Sequence, residues 1–501
     1  MNADWTRRKF LQAALVTGGG LAAAPLLRGA AEPDLELKLV AAPDRVSIWK
    51  GEPTRVLRYA AEVVRGRPDA VRPGDGYLGP TLELRRGERV RIRFENRLAE
   101  PSIVHWHGLV VPEAADGHPH HAVPPGGRYV YDFTVVNPAG TYLYHPHPHG
   151  RTGYQVYYGL AGLLVVREPA ESAIGLPSGP EELALVIQDR RAAADHQFAF
   201  KRMMMDDMNG VLGDVVLANG RADALFRVAP RTHRLRIANV SNARIYKLAW
   251  SDGAPLRVIG SGNGLLGAVV ERPYVMLAPF ERVELLEDFG ARRPGAEIAL
   301  LSGAFSVGGM MGRGMMGGGM MGGGMMGGGM MNGGQGEELL IARFAIGREG
   351  ARRAGPLALR AEPPPPTAGA VARRTQLAMR QMRGLLNGRS FDMRAVAPDE
   401  RLPLGKPAVW TFTNATGMMA MPHPMHLHTV RFRVLERGPR SSLPASVAEG
   451  IVDDGYRDMV LVFPGETVRL AVVPTEPGLS MVHCHNLEHE DAGMMRNFLV
   501  G

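Results

Sequence analysis

The stretch His483-Cys484-His485-Asn486-Leu487-Glu488-His489, with Met494 just beyond it, holds the only cysteine among 501 residues. Side chains alternate across an extended strand, so a strand here turns the imidazoles of His483 and His485 to one face and the thiol to the other. One short segment then ligates two different metal centres through covalently joined neighbours. With His423 from another strand, Cys484, His489 and Met494 make two imidazoles, a thiolate and a weak axial thioether. That is the donor set of a blue-copper electron-transfer site.

Three further clusters lie outward from this one: His105-Trp106-His107-Gly108, His145-Pro146-His147 and His423-Pro424-Met425-His426-Leu427-His428. Imidazole suits copper, zinc and iron, and thiolate with thioether selects copper among them. Each His-x-His unit places two rings on one strand face, where they hold one metal or a pair. A zinc hydrolase uses three or four protein ligands, whereas ten of the 16 histidines fall in these clusters. A set of satisfied histidines around a core cysteine leaves their pairing about the sole thiol unexplained. His118, His120, His121, His149, His196 and His233 stand outside the constellation. His149 continues the His-Pro-His alternation and is assigned to the rim.

The rest of the chain supplies a scaffold for such strands. Its length has room for two to four domains, and 45% hydrophobic with 22% charged residues is ordinary for a globular protein. A single cysteine excludes a disulfide framework and a Cys-rich zinc or iron–sulfur site. Short alternating runs recur between Gly, Pro, Asn and Asp clusters, as in Val90-Arg91-Ile92-Arg93-Phe94 and Thr429-Val430-Arg431-Phe432-Arg433-Val434. They predict an all-β protein of three sandwich units, over 32–168, 182–350 and 373–501. A charged passage at 167–182 and the Pro-rich 352–375 join them. Leu217-Ala218-Asn219-Gly220 and Leu385-Leu386-Asn387-Gly388 hint at an internal repeat. The basic stretch at 85–97 alternates with apolar residues, which argues for a solvated strand face and against a nucleic-acid partner despite a net charge of +8.

Residues 1–31 read as an address. Thr6-Arg7-Arg8-Lys9-Phe10-Leu11 precedes a mildly apolar, Gly-rich run and then Gly29-Ala30-Ala31, the pattern of a cleaved twin-arginine signal that exports folded proteins through the Tat machinery. Gly18-Gly19-Gly20 weakens a membrane anchor, and stable membrane insertion is not expected. The protein is expected in the periplasm or secreted, as a monomer. There a lone cysteine is a liability unless buried or metal-held.

Taken together, the motifs resemble those of the multicopper oxidases, the laccases and more closely the bacterial cuprous oxidases of copper tolerance. His-Trp-His-Gly, Tyr-His-Pro-His, His-Pro-x-His-x-His and His-Cys-His-x3-His-x4-Met all stand unbroken, with Tyr77-Leu78-Gly79-Pro80-Thr81 and Gly159-Leu160-Ala161-Gly162-Leu163 in support. The resemblance runs from about residue 40 to 501 and implies three cupredoxin-like Greek-key β-sandwich domains. It implies four copper ions. His423, Cys484, His489 and Met494 would hold the type 1 copper, and His105 and His426 the type 2 copper. His107, His145, His147, His428, His483 and His485 would hold the type 3 pair. Asp116 and Glu490 fall where the family keeps proton-relaying acids, although each also reads as an ordinary charged group.

The implied reaction takes single electrons from a reductant at the type 1 site, passes them through Cys484 to its histidine neighbours, and reduces O2 to two waters. The methionines bear on the reductant. A tract over 310–331 repeats Met-Met between Gly-rich triplets and carries ten of the 27 methionines. So much glycine predicts a surface loop, spanning 308–336. Thioethers favour Cu(I), so the tract and Met418, Met419 and Met421 point to Cu(I) as substrate, with small organic reductants such as phenols and amines accepted less selectively, whereas Met203-Met204-Met205 read equally as gap-filling core. Two other readings stay open: a laccase acting mainly on organic donors, and a copper-sequestering protein without turnover. A copper nitrite reductase uses fewer domains and lacks the eight-histidine set.

Overall fold

The structure is a computed structural model that describes residues 32–501 apart from 75, 201–204, 307–333, 349–354, 356, 382 and 418–419. The signal read at 1–31, the Met/Gly tract, Met203, Met204, Met418 and Met419 lie outside the described residues.

Alternation in sequence becomes alternation in burial. In strand Arg89–Asn96 the apolar Val90, Ile92 and Phe94 are buried, while Arg91 pairs with Asp132 at 2.5 Å and Arg93 pairs with Glu36. The basic stretch is therefore a solvated strand face whose arginines are spent on carboxylates of neighbouring strands, as expected.

Six sheets form among the described residues, and they enclose three separate apolar cores. The first core lies between a sheet containing Leu35–Val46 and Arg89–Asn96 and one containing Thr81–Arg85 and Gly140–Pro146. The second lies between the sheets of Glu182–Arg190 and Leu339–Ile346, and the third between those of Val371–Arg380 and Gly478–Cys484. In each sandwich the opening strand pairs in parallel with a later one: Leu35–Val46 with Arg89–Asn96, Glu182–Arg190 with Thr232–Asn239, Val371–Arg380 with Ala408–Asn414. Parallel partners require a crossover, which gives the Greek-key wiring three times. The all-β expectation of three such sandwiches holds.

The suspected repeat has a physical basis. Asn219-Gly220 and Asn387-Gly388 are both two-residue hairpin turns with positive φ at each position, from +51° to +73°, where Asn and Gly are the tolerated residues. In both, the Asn amide bonds back to the opening strand of its sandwich. Asn219 accepts from the Val186 amide at 2.7 Å and Asn387 accepts from the Gln376 amide at 2.8 Å.

Charge and apolar surface together fix the sandwiches to one another. Glu182 accepts from Arg167 of the first sandwich at 2.6 Å and from Arg236 of the second at 2.9 Å. Arg282 of the second sandwich grips Asp458 of the third through its two terminal guanidinium nitrogens, at 2.8 and 2.5 Å, with both side chains 1% exposed. Charges so deeply buried are tolerated only when paired in this way. Two smaller apolar clusters, one around Tyr77, Phe198 and Phe280 and one around Met276 and Phe463, seal the junctions. Among the described residues no helix is long and apolar enough to cross a membrane.

Candidate metal centre

Strand Gly478–Cys484 pairs with His423–Leu427 so that Met425 faces Cys484 and His426 faces His483. The alternation predicted for this segment is present. Cys484 Sγ lies 3.4 Å from His423 Nδ1 and 3.5 Å from His489 Nδ1, and all three residues are buried. The short helix Leu487–Asp491 folds His489 back onto the thiol. Met494 packs in the same core, and its room is made by Gly384: a Cβ there would sit 2.6 Å from the Met494 sulfur. Burial pushes the Cys484 thiol up, so it ionises only against a bound cation.

On the opposite side of that strand eight histidines converge. His105 Nδ1 donates to the Asp116 carbonyl at 2.7 Å, and His426 Nδ1 donates to the Asp458 carbonyl at 2.8 Å. A carbonyl only accepts, so both protons are on Nδ1 and both Nε2 atoms are bare. Those two Nε2 atoms face each other at 3.3 Å. Nearby, His428 Nδ1 donates to Asp116 Oδ2 at 2.9 Å and His483 Nδ1 donates to the Cys484 carbonyl at 3.2 Å. Their Nε2 atoms meet at 2.9 Å, with His147 Nε2 3.4 Å from that of His483. A third grouping sets His145 Nε2 3.4 Å from His107 Nδ1, beside the His485 ring 4.9 Å from that of His107. Both His485 nitrogens are buried without a hydrogen-bond partner.

Lone pairs aimed at one another repel, and a cation between them removes the conflict. The donor chemistry therefore fits metal ions: thiolate and imidazole on one side suit copper, and imidazole clusters on the other suit it equally. Burial, reinforced by the neighbouring rings, holds His426, His428 and His485 well below the usual imidazole value, and His147 at about 3. Those four rings are thus neutral at physiological pH, the form in which an imidazole can bind a metal.

Both predicted acids reach the cluster. Asp116 bridges to His105 and His428, and its Oδ1 is buried without a hydrogen bond. Glu490 lies 3.6 Å from His147 and 3.3 Å from His483. Both of its carboxylate oxygens are buried without a hydrogen-bond partner. His149 is exposed, 5.0 Å from the Phe391 ring, and stays outside the cluster as expected.

Three participants escaped sequence reasoning. Asp458 supports His426 through its carbonyl and comes within 3.3 Å of His107 Nε2, while Arg282 and Asn263 hold its carboxylate. Burial would raise that carboxyl, and Arg282 more than reverses the effect. Phe280, at a φ of +61°, stacks on His485 with centroids 4.2 Å apart. The Met208 carbonyl accepts from His489 Nε2 at 2.8 Å. Only the acidic composition of Asp453-Asp454-x3-Asp458 carried any signal.

Comparison with known proteins places this geometry. Two family models described as multicopper oxidase match residues 360–501 and 65–171. The crystal structure of the McoA multicopper oxidase from Aquifex aeolicus is similar at 32% identity and a TM-score of 0.78, over 94% of this chain and 97% of that one. A laccase of Haloferax volcanii is 29% identical over 99% of this chain and 91% of its own length. A Campylobacter jejuni multicopper oxidase described as a metallo-oxidase is 26% identical with a TM-score of 0.72, over 93% and 91% of the two chains. The likeness extends over the whole sandwich assembly that brings the thiol and the histidines to opposite faces of one strand, and the chain belongs to the multicopper oxidase family.

Proposed function

We propose that the protein is an exported oxidase that takes electrons singly from Cu(I), and less selectively from phenolic or amine donors, and delivers four to O2. One observation carries this reading. Cys484 faces His423 and His489 while its covalent neighbours His483 and His485 face the eight-histidine cluster. A storage protein needs no such join.

The residues proposed to hold the type 1 copper are His423, Cys484, His489 and Met494. We assign His105 and His426 to type 2, and His107, His145, His147, His428, His483 and His485 to the type 3 pair, with four copper ions in all. Copper bound there supplies one-electron redox chemistry at the thiolate and multi-electron storage at the cluster. The chain supplies the rest. Cys484 gives a through-bond route of one residue to either histidine. Asp116 fixes the His428 ring and keeps its second oxygen without a hydrogen bond, open to a proton, and Glu490 stands 3.6 Å from His147 and 3.3 Å from His483. The apolar cores exclude water from both sets.

The twin-arginine pattern at residues 6–11 supports export to the periplasm or beyond, and the methionine tract supports Cu(I) as substrate. The Haloferax relative, described as a laccase, favours a second reading in which organic donors dominate. Copper-loaded protein should consume O2 when supplied with Cu(I), and absence of uptake with every reductant would refute the oxidase. Deleting 310–331 separates the two substrate readings: Cu(I) oxidation falls while phenol oxidation persists or rises. Equal loss on both substrates argues against a metal-specific tract.

A further inference from the structure

Three histidines outside the ten-histidine constellation gather just beyond Asp116, on the turn Pro119–His121 and at its cap. Their protons can be placed from their neighbours. Asn497 Nδ2 donates to the carbonyls of Asp392 and Ala395 at 3.2 and 3.1 Å, so Asn497 Oδ1 is the acceptor that faces His118 Nε2 at 2.9 Å. His118 therefore carries its proton on Nε2 and accepts at Nδ1, from the His120 backbone amide at 3.2 Å and from His120 Nδ1 at 2.6 Å. Two ring nitrogens that close are joined by a proton and leave no room for a metal between them. His120 must then carry its proton on Nδ1, with a bare Nε2.

That bare nitrogen lies 4.0 Å from Glu113 Oε1. The other carboxylate oxygen, Oε2, accepts the Leu479 amide at 2.9 Å, which anchors Glu113 and leaves Oε1 turned to the ring. Burial, then His118 and His121, keep His120 neutral, with its value lowered to about 4. A lone pair and a carboxylate oxygen thus confront each other, too far apart to share a proton. The His121 ring sits 3.8 Å from that of His120, and its Nδ1 is buried without a hydrogen-bond partner.

We propose that Glu113 Oε1, His120 Nε2 and a His121 ring nitrogen form an auxiliary site for a divalent ion of the zinc class, separate from the copper cluster. Two imidazoles, one carboxylate and a water make a tetrahedral zinc donor set, with bonds of about 2.0–2.2 Å. Such an ion wants the nitrogen and oxygen about 3.4 Å apart, about 0.6 Å closer than the 4.0 Å at which they stand. The Glu113 side chain is 35% exposed and that of His120 6%, so an ion enters from solvent. The two flanks of the segment bearing Asp116 would then be tied together. Arg394 stands close enough to oppose positive charge and limits the affinity.

The test uses the full, copper-loaded chain dialysed against Zn2+, which metal analysis distinguishes from resident copper. Wild type should take up one zinc per chain, and crystals should show its anomalous signal between His120 and Glu113. His120→Ala and Glu113→Gln should each weaken zinc binding by about tenfold or more. Copper content, visible absorption and O2 uptake should be unchanged, which also certifies folding. No zinc uptake by wild type, undiminished uptake in both variants, or zinc located elsewhere would overturn the proposal.

Discussion

Asp116 Oδ2 accepts from His428 Nδ1 at 2.9 Å, within a pocket where both residues are fully buried. Asn at this position keeps an acceptor for the ring but removes the negative charge and the proton-carrying group. Asp116→Asn should lower turnover by about 10²-fold or more, the usual scale for losing a positioned acid or base. Copper content and the visible band should persist. Unchanged turnover would remove Asp116 from the proposed proton path.

Cys484→Ser replaces the soft thiolate by a hydroxyl of similar size. The band expected at about 600 nm from a blue-copper site should vanish and activity should be lost. The eight-histidine cluster should keep its copper, as measured by metal analysis with electron paramagnetic resonance. Retained activity with every reductant would break the proposed electron route.

Gly384→Ala tests how the thioether is placed. The added Cβ would lie 2.6 Å from both the Cβ and the sulfur of Met494, so the Met494 side chain must give way. Overpacking of this kind costs about 1–3 kcal/mol, visible as a lower denaturation midpoint. The absorption spectrum should shift as Met494 is displaced, while the cluster copper remains.

Arg282→Met should be more damaging than its distance from the thiol suggests. Removing one partner leaves the Asp458 carboxylate buried without its main counter-charge, a loss of about 3–5 kcal/mol. Because Asp458 also holds His426, copper retention should fall with stability. Chemical denaturation alongside metal analysis checks both.

Glu182 sets an acid limit. Burial would raise its carboxyl, but Arg167 and Arg236 outweigh burial and hold it at about 2, below the ordinary 4.5. A depressed carboxyl contributes stability above its unfolded value and loses it as pH falls towards the folded one. Denaturation midpoints should therefore drop between about pH 4.5 and 2, and Glu182→Gln should flatten that limb. An unchanged limb in the variant would assign the acid sensitivity to other carboxylates.

Sequence period explains what was legible. A strand alternates whatever surrounds it, so His483, Cys484 and His485 announced two faces before any fold was known, and Val90, Ile92 and Phe94 announced a core. Asn219-Gly220 and Asn387-Gly388 were legible because few residues accept their backbone. Asp458 was not, since its role depends on Arg282, which another sandwich delivers. The Met208 and Asp458 carbonyls were beyond reach for a different reason: every residue has one, and only tertiary placement gives it a partner. Phe280 was hidden because a bulky residue gives no sign of a positive φ and because its partner ring, His485, lies far along the chain.

The facing pair His105 and His426 stand 321 positions apart along the polypeptide. During synthesis the early half of the pocket emerges with its imidazoles opposite nothing, and it waits for the final strands to bring their counterparts. A chain cut short anywhere before residue 485 cannot close the seam, whatever its amino-terminal sandwich has achieved. Metal held at that seam would accordingly report a chain whose last strands are already in place.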